Sequence, residues 1–235
     1  MDNEISREEF LDKKRDFSPL LVHLTRDGID EMGNPYVPAK EVLRCILDEK
    51  ILRAYNYYCI FQDKLRLLDN RLKNKFKVLC FTETPIDQIE VLLSQVQGRD
   101  IVLKPYGLVF KKEYIRRKGG NPAFYVTGVL SDSLWHIYDE AIKNECCRGE
   151  NKLLALVNKC DESIDFHWER EWRIVGNLVF GLIDIHCGLC PEEEIPYFEN
   201  KYEVMFIDPC WGINKILDKL VNIPKRKQQL EDIPF

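Results

Sequence analysis

The chain lacks the signatures that identify most membrane proteins and the commonest enzyme classes. No apolar run approaches the roughly 20 residues a bilayer-spanning helix needs, so no membrane association is expected. The opening Met1-Asp2-Asn3-Glu4 is acidic and polar, without the apolar segment of a secretory signal. The phosphate-cradling G-x-x-x-x-G-K-[ST] and the dinucleotide fingerprint G-x-G-x-x-G are missing, as are H-E-x-x-H and G-x-S-x-G. P-loop ATPases, Rossmann dehydrogenases, zincin metalloproteases and α/β-hydrolases therefore lose most of their weight. Internal repeats and low-complexity tracts are absent. So is a charge excess of either sign: 34 Lys and Arg face 39 Asp and Glu, for a net charge of −5. The chain as a whole thus has no basic nucleic-acid signature, although local basic patches remain.

What is present is an ordinary globular composition, with 45% hydrophobic and 31% charged residues over 235 positions. That length fits one large domain. The nine cysteines are odd in number and lie mostly in apolar runs. They suggest reduced thiols in a reducing compartment, so a cytoplasmic location is expected. Cys187-Gly188-Leu189-Cys190 is a single C-x-x-C, and His186 and Cys210 are further ligand types nearby. A second pair at finger spacing is missing, so no metal is expected.

Apolar patterning predicts strands at 20–25, 78–83, 106–110, 123–126 and 203–208. It predicts helices at 38–47, 86–96, 111–118, 133–147 continuing through 160, and 213–221, with an acidic loop at 191–196. Strands and helices alternate without a βαβ repeat. The fold class expected is α+β: a single domain over 1–235 with a split, mixed β-sheet around a cleft. Residues 131–163 read as a helical insert and 224–235 as a mobile tail.

The densest chemical signal is Asp165-Phe166-His167-Trp168-Glu169-Arg170-Glu171-Trp172-Arg173-Ile174-Val175-Gly176. As one strand it places Glu169, Glu171 and Arg173 on one face and Trp168, Arg170 and Trp172 on the other. Paired carboxylates can divide labour, one stabilising a developing cation and the other orienting ligand. Cross-strand ion pairing with Arg170 or Arg173 is the competing explanation. His23, with Thr25 on the same strand face, is either a hydrogen-bonded core histidine or a ligand-facing imidazole. Tyr106 is either a packing residue or a flat platform for a heteroaromatic ring. Phe81-Thr82-Glu83-Thr84-Pro85 closes a strand with polar residues, a common place for ligands. A cap for the following helix is equally consistent with Thr82 or Thr84. The basic stretches 64–77 and 111–118, with Tyr55, Tyr57 and Tyr58, can form solvated faces or a track for single-stranded nucleic acid.

Taken in order, Leu21-Val22-His23-Leu24-Thr25, Cys80-Phe81-Thr82-Glu83-Thr84-Pro85, Tyr106-Gly107-Leu108-Val109-Phe110-Lys111-Lys112, Gly119-Gly120-Asn121-Pro122-Ala123-Phe124-Tyr125 and Trp168-Glu169-Arg170-Glu171-Trp172-Arg173 resemble the AbiGi-type abortive-infection family of phage resistance. The resemblance spans about residues 19–176. Its layout is similar to that of ADP-ribosyltransferases of the DarT and CmdT types, which split a β-sheet around an NAD cleft. The resemblance implies a phage-defence toxin that transfers ADP-ribose from NAD to RNA or single-stranded DNA. It implies Glu171 as the catalytic acid. It also implies His23, Thr25, Tyr106, Phe81 and Glu169 as cofactor-binding residues, with no metal. Tyr125 rivals Tyr106, and Glu169 rivals Glu171, which is preferred because it lies nearer the apolar body of the strand. An antitoxin or chaperone partner is expected. The alternative is that the chain is itself the non-enzymatic antitoxin, with Tyr55, Tyr57 and Trp211 as interface anchors.

Overall fold

The computed structural model describes residues 18–28, 37–94, 101–147, 149–160 and 167–221. The tail expected at 224–235 lies outside them, as does the lead-in before residue 18. The described strands are β1 (Leu20–Leu24), β2 (Ile51–Leu52), β3 (Val78–Thr82), β4 (Gly107–Lys111), β5 (Asn121–Pro122), β6 (Phe124–Val126), β7 (Val157–Lys159), β8 (Glu171–Val175), β9 (Leu178–Val179), β10 (Ile185–Leu189) and β11 (Phe206–Ile207). Seven form one mixed sheet in the order β11-β10-β4-β1-β3-β8-β5. All its neighbours are antiparallel except the parallel pair β10–β11. Strands β2–β9 and β6–β7 form two separate ribbons.

The sheet buries both faces, which is why its central strands read as near-continuous apolar runs. On one face Leu21, Leu79, Phe81, Leu108, Phe110, Trp172 and Ile174 meet the helices Ala39–Glu49, Lys112–Arg117 and Ile195–Tyr202 through Leu43, Leu47, Ile115 and Phe198. The opposite face is covered in two parts. Val22, Val109, Cys187 and Leu189 pack on Ile89 and Ile216 from the helices Ile89–Leu93 and Ile213–Val221. Val78 packs in a second cluster with Phe61, Phe76, Tyr138 and Leu154, fed by the helices Gly128–Lys143 and Glu150–Leu154. Phe61 stacks on Tyr138 at 4.6 Å and meets the edge of Trp135 at 5.0 Å.

The sheet is weakest between β1 and β3. Neighbouring pairs such as β3–β8 and β1–β4 hold five registered positions each, whereas β1 and β3 share only Val22↔Thr82. Beyond that pair the strands part. On the side of β3 away from β8, Val78 instead bridges to Asn56, its N–H donating to the Asn56 carbonyl at 2.8 Å. The His23 ring fills part of the seam, Nδ1 donating to the Cys80 carbonyl at 2.8 Å. The imidazole thus replaces a ladder hydrogen bond that the diverging backbone does not make.

Several expectations need correction. The strand expected from Asp165 begins only at Glu171. His167–Glu169 is a 3-10 turn, and Arg170 adopts a left-handed φ of 48° that breaks the extended run. The turn is stapled to the end of β3, where the Thr82 hydroxyl donates to the Glu169 carbonyl at 2.6 Å and the Glu83 N–H donates to the Arg170 carbonyl at 3.1 Å. The helix expected to run on through 160 stops at Leu154 and gives way to β7. The acidic loop at 191–196 is a 3-10 turn leading into the helix Ile195–Tyr202. Strand β10 was not anticipated, and it carries Cys187 in the core, with Cys190 buried just beyond.

Candidate functional site

Two carboxylates dominate the polar chemistry of the sheet, and the register puts them on opposite faces. Val22↔Thr82 and Thr82↔Glu171 place Val22, Cys80, Thr82, Glu171 and Arg173 on one face. Alternation then places His23, Phe81 and Trp172 on the other. The convergence of Glu171 and His23 on one cleft, expected from the sequence, does not occur.

Glu171 is held in a closed polar cluster. Arg173, 1% exposed, donates from Nε to Oε1 at 2.9 Å and from Nη2 to Oε2 at 2.7 Å. The Tyr125 hydroxyl donates to the same Oε2 at 2.9 Å. The remaining arm of Arg173 reaches the Ala155 carbonyl at 3.1 Å, tying β8 to the segment before β7. Burial lowers the Arg173 pKa, but the charge and hydrogen bonds of Glu171, with Cys80 and Tyr125, together more than offset it, and the guanidinium stays protonated. Burial raises the Tyr125 pKa, and Glu171 and Glu169 raise it further. The neighbouring Cys80 thiol is raised by burial and then by Glu171, which leaves it protonated and unreactive. The ion pairing that the sequence offered as one explanation of Glu171 is present. The lone pairs of its carboxylate are taken up by a buried arginine and a tyrosine.

The other sequence-derived candidates are also engaged by the fold. The Thr25 hydroxyl, 3% exposed, has the Tyr106 carbonyl at 3.1 Å and the Ala39 carbonyl at 3.3 Å as its acceptors. Tyr106 packs partly buried against the core, and desolvation followed by Glu194 raises its pKa. Phe81 is a core residue, 5.5 Å from the His23 ring and 6.2 Å from Phe110. His23 is half-buried, and desolvation lowers its pKa despite the Cys80 carbonyl, so the ring is neutral at pH 7. Tyr125, the rival platform, is the aromatic that touches Glu171.

The second carboxylate, Glu83, is 7% exposed and belongs to the lining of a pocket. Its Oε2 accepts from the Trp172 indole Nε1–H at 2.7 Å. Its Oε1 lies 2.7 Å from Lys112 Nζ and 3.6 Å from Arg170 Nη2. Lys112 lies nearly buried, 5.8 Å from the Trp172 ring centre, and desolvation lowers its pKa against the pull of Glu83. The Arg116 guanidinium stands over the same ring at 5.4 Å. A pocket of about 490 Å³ opens here, lined by Glu83, Arg116, Gly120, Asn121, Pro122 and Trp172. That volume suits a nucleotide-sized ligand.

The sequence builds this pocket through two glycines. Gly119 takes a left-handed φ of 89°, which favours glycine. At Gly120 a Cβ would stand 2.4 Å from Ile115 Cγ2 and 2.9 Å from the Ile115 carbonyl, so only glycine fits. The turn they make returns the chain from the Lys112–Arg117 helix to β5, where Pro122 pairs with Trp172. Phe81, paired with Trp172 on β8 and packed on His23, links the pocket floor to the first strand.

Sequence reasoning singled out the Phe-Thr-Glu-Thr-Pro piece but gave Glu83 itself no role. In the sequence Lys112 and Arg116 belong to the basic stretch 111–118, and Trp172 to the run of alternating charges and indoles. The available signal was a single acid at a strand end, shortly before a basic helix and a Gly-Gly turn.

Comparison of the chain with protein-family models, curated proteins and solved structures yields no match. Among the described residues no helix is long and apolar enough to cross a membrane, and no group of His, Cys, Asp and Glu could hold a metal ion.

Proposed function

We propose that the chain is a phage-defence ADP-ribosyltransferase that uses NAD to modify RNA or single-stranded DNA, with its working carboxylate at Glu83 rather than Glu171. One observation carries this reading. Glu83 is fixed by an indole N–H and an ammonium at the wall of a nucleotide-sized pocket, on the sheet face that also holds His23. In the reaction the bond from nicotinamide nitrogen to ribose C1′ breaks and nicotinamide leaves with the electron pair. A positioned carboxylate stabilises the oxocarbenium character left on the sugar. A nucleophilic atom of the nucleic acid then attacks C1′, and its proton passes to the carboxylate or to water. Lys112, Arg116 and Arg170 suit the diphosphate of NAD.

The test is nicotinamide release and label transfer from labelled NAD, with RNA and single-stranded DNA as acceptors. Turnover that depends on Glu83 supports the reading. No turnover with either acceptor, or turnover indifferent to Glu83→Gln, removes it.

The closed Glu171 cluster favours a second reading, in which the chain is a non-enzymatic partner-binding component of an abortive-infection pair. Tyr55, 66% exposed, is then an interface anchor. Expression of the chain alone separates the two. Growth arrest supports the toxin, and unimpaired growth with a stably co-purifying partner supports the antitoxin.

A further inference from the structure

We infer that the pocket at Trp172 is a phosphate-ester subsite for a nucleoside monophosphate unit. The phosphate sits at Arg116, and the ring system lies in the hollow lined by Trp172 and Pro122. The inference rests on the placement of ligand in the Glu83 pocket proposed above and adds which part of the ligand binds there.

The charge count comes first. Lys112, Arg116 and Arg170 contribute three positive charges around the one negative charge of Glu83, a local excess of two. Glu83 is shared between Lys112 and Arg170. Arg116 makes no ion pair among the described residues, and its guanidinium stands over the indole at the pocket mouth. A planar five-donor fork on a pocket rim is suited to phosphate oxygens, which it can grip through two parallel N–H bonds. The floor selects the rest of the ligand. Pro122 and the accessible part of Trp172, which is 5% exposed, give the hollow an apolar lining. An inorganic anion would leave this hollow unfilled, and a neutral nucleoside would leave the excess charge unanswered.

Calorimetric titration of the full chain tests this with adenosine monophosphate, adenosine, inorganic phosphate, and one short single-stranded oligonucleotide with and without a 5′-phosphate. The monophosphate is expected to bind roughly tenfold or more tighter than adenosine and than inorganic phosphate, about one charge-assisted contact each way. Arg116→Ala should lose roughly tenfold in monophosphate affinity while Arg117→Ala, one position along the same helix, keeps it. Preference for the 5′-phosphorylated over the 5′-hydroxyl oligonucleotide identifies a nucleic-acid end as the source. Binding of the monophosphate without that preference identifies a free nucleotide. Equal affinity for adenosine and its monophosphate, equal affinity for inorganic phosphate, or an Arg116→Ala variant that binds normally overturns the inference. Its fate separates from that of the transferase. Monophosphate binding without nicotinamide release keeps the subsite and removes the transferase. Nicotinamide release with kinetics unchanged in Arg116→Ala does the reverse.

Discussion

Glu171 opens β8 and Glu83 follows the end of the neighbouring β3, and each is paired with a cation and a ring donor, yet their surroundings differ. Both side chains are nearly buried, 10% exposed at Glu171 and 9% at Glu83, so their burial does not set them apart. Glu171 meets Arg173 through two hydrogen bonds and Tyr125 through a third, and Arg173 goes on to bind a backbone carbonyl. Every group in that cluster has a protein partner, so it ties β6, the segment before β7 and β8 together. Glu83 has the same kinds of partner, Lys112 and Trp172, but an open pocket lies beside it. The difference teaches that the richest run of charges in a sequence is not necessarily where the chemistry is. A carboxylate works on a ligand when space adjoins it, and space is not written in residue type.

The largest expected effect breaks the Glu171 cluster. Glu171→Gln leaves the Arg173 guanidinium buried and without its counter-charge, and an arginine cannot escape by losing its proton. A stability loss of about 3–5 kcal/mol is expected in denaturant titration. A loss below about 1 kcal/mol would mean that the cluster is not a structural tie.

Glu83→Gln should cost less, about 1–3 kcal/mol, because Lys112 can release its proton at the pocket edge. The sign of its pH dependence follows. Lys112 already titrates below its ordinary value because of desolvation, and loss of Glu83 lowers it further. The unfolded chain then holds more protons than the folded one, so the stability deficit should shrink as pH rises toward 10.5, the ordinary lysine value. A deficit that grows with pH would contradict the pairing.

The smallest effect concerns the seam between β1 and β3. The folded-state pKa of His23 is lowered by burial, so folding favours the neutral ring. Its contribution is fully present above the ordinary value of 6.5 and is lost as pH falls from there toward the lower folded value. His23→Gln should flatten that part of the acid-side stability curve and cost about 1 kcal/mol at neutral pH through the hydrogen bond to Cys80. An unchanged acid-side slope would show that the seam does not sense this proton.

The architecture was legible in part. Patterning gave β1, β3, β4 and β6 to within a residue or two, and the final helix Ile213–Val221 over its described length, because each is a compact apolar run or a clear helical stripe. Strand β10 was hidden because His186, Cys187 and Gly188 carry little strand propensity. The Trp-rich run was over-extended because alternating charge and indole mimics a two-residue period, whereas the left-handed turn at Arg170 is enforced by tertiary hydrogen bonds from Thr82 and Glu83. The candidate site was legible only in its pieces. Phe81 and Glu83, Lys112 and Gly120, and Trp172 come from three separate stretches of the sequence, and only strand register and the Gly119-Gly120 turn bring them together.

The most direct measurement is nicotinamide release from NAD by wild type, Glu83→Gln and Glu171→Gln, each assayed at a temperature where its far-ultraviolet dichroism shows it folded. The expected result is a loss of roughly a hundredfold or more for Glu83→Gln, the scale of removing one transition-state electrostatic contact. Glu171→Gln should follow only the fraction of folded protein. Loss of turnover in folded Glu171→Gln with Glu83→Gln left active would contradict the account.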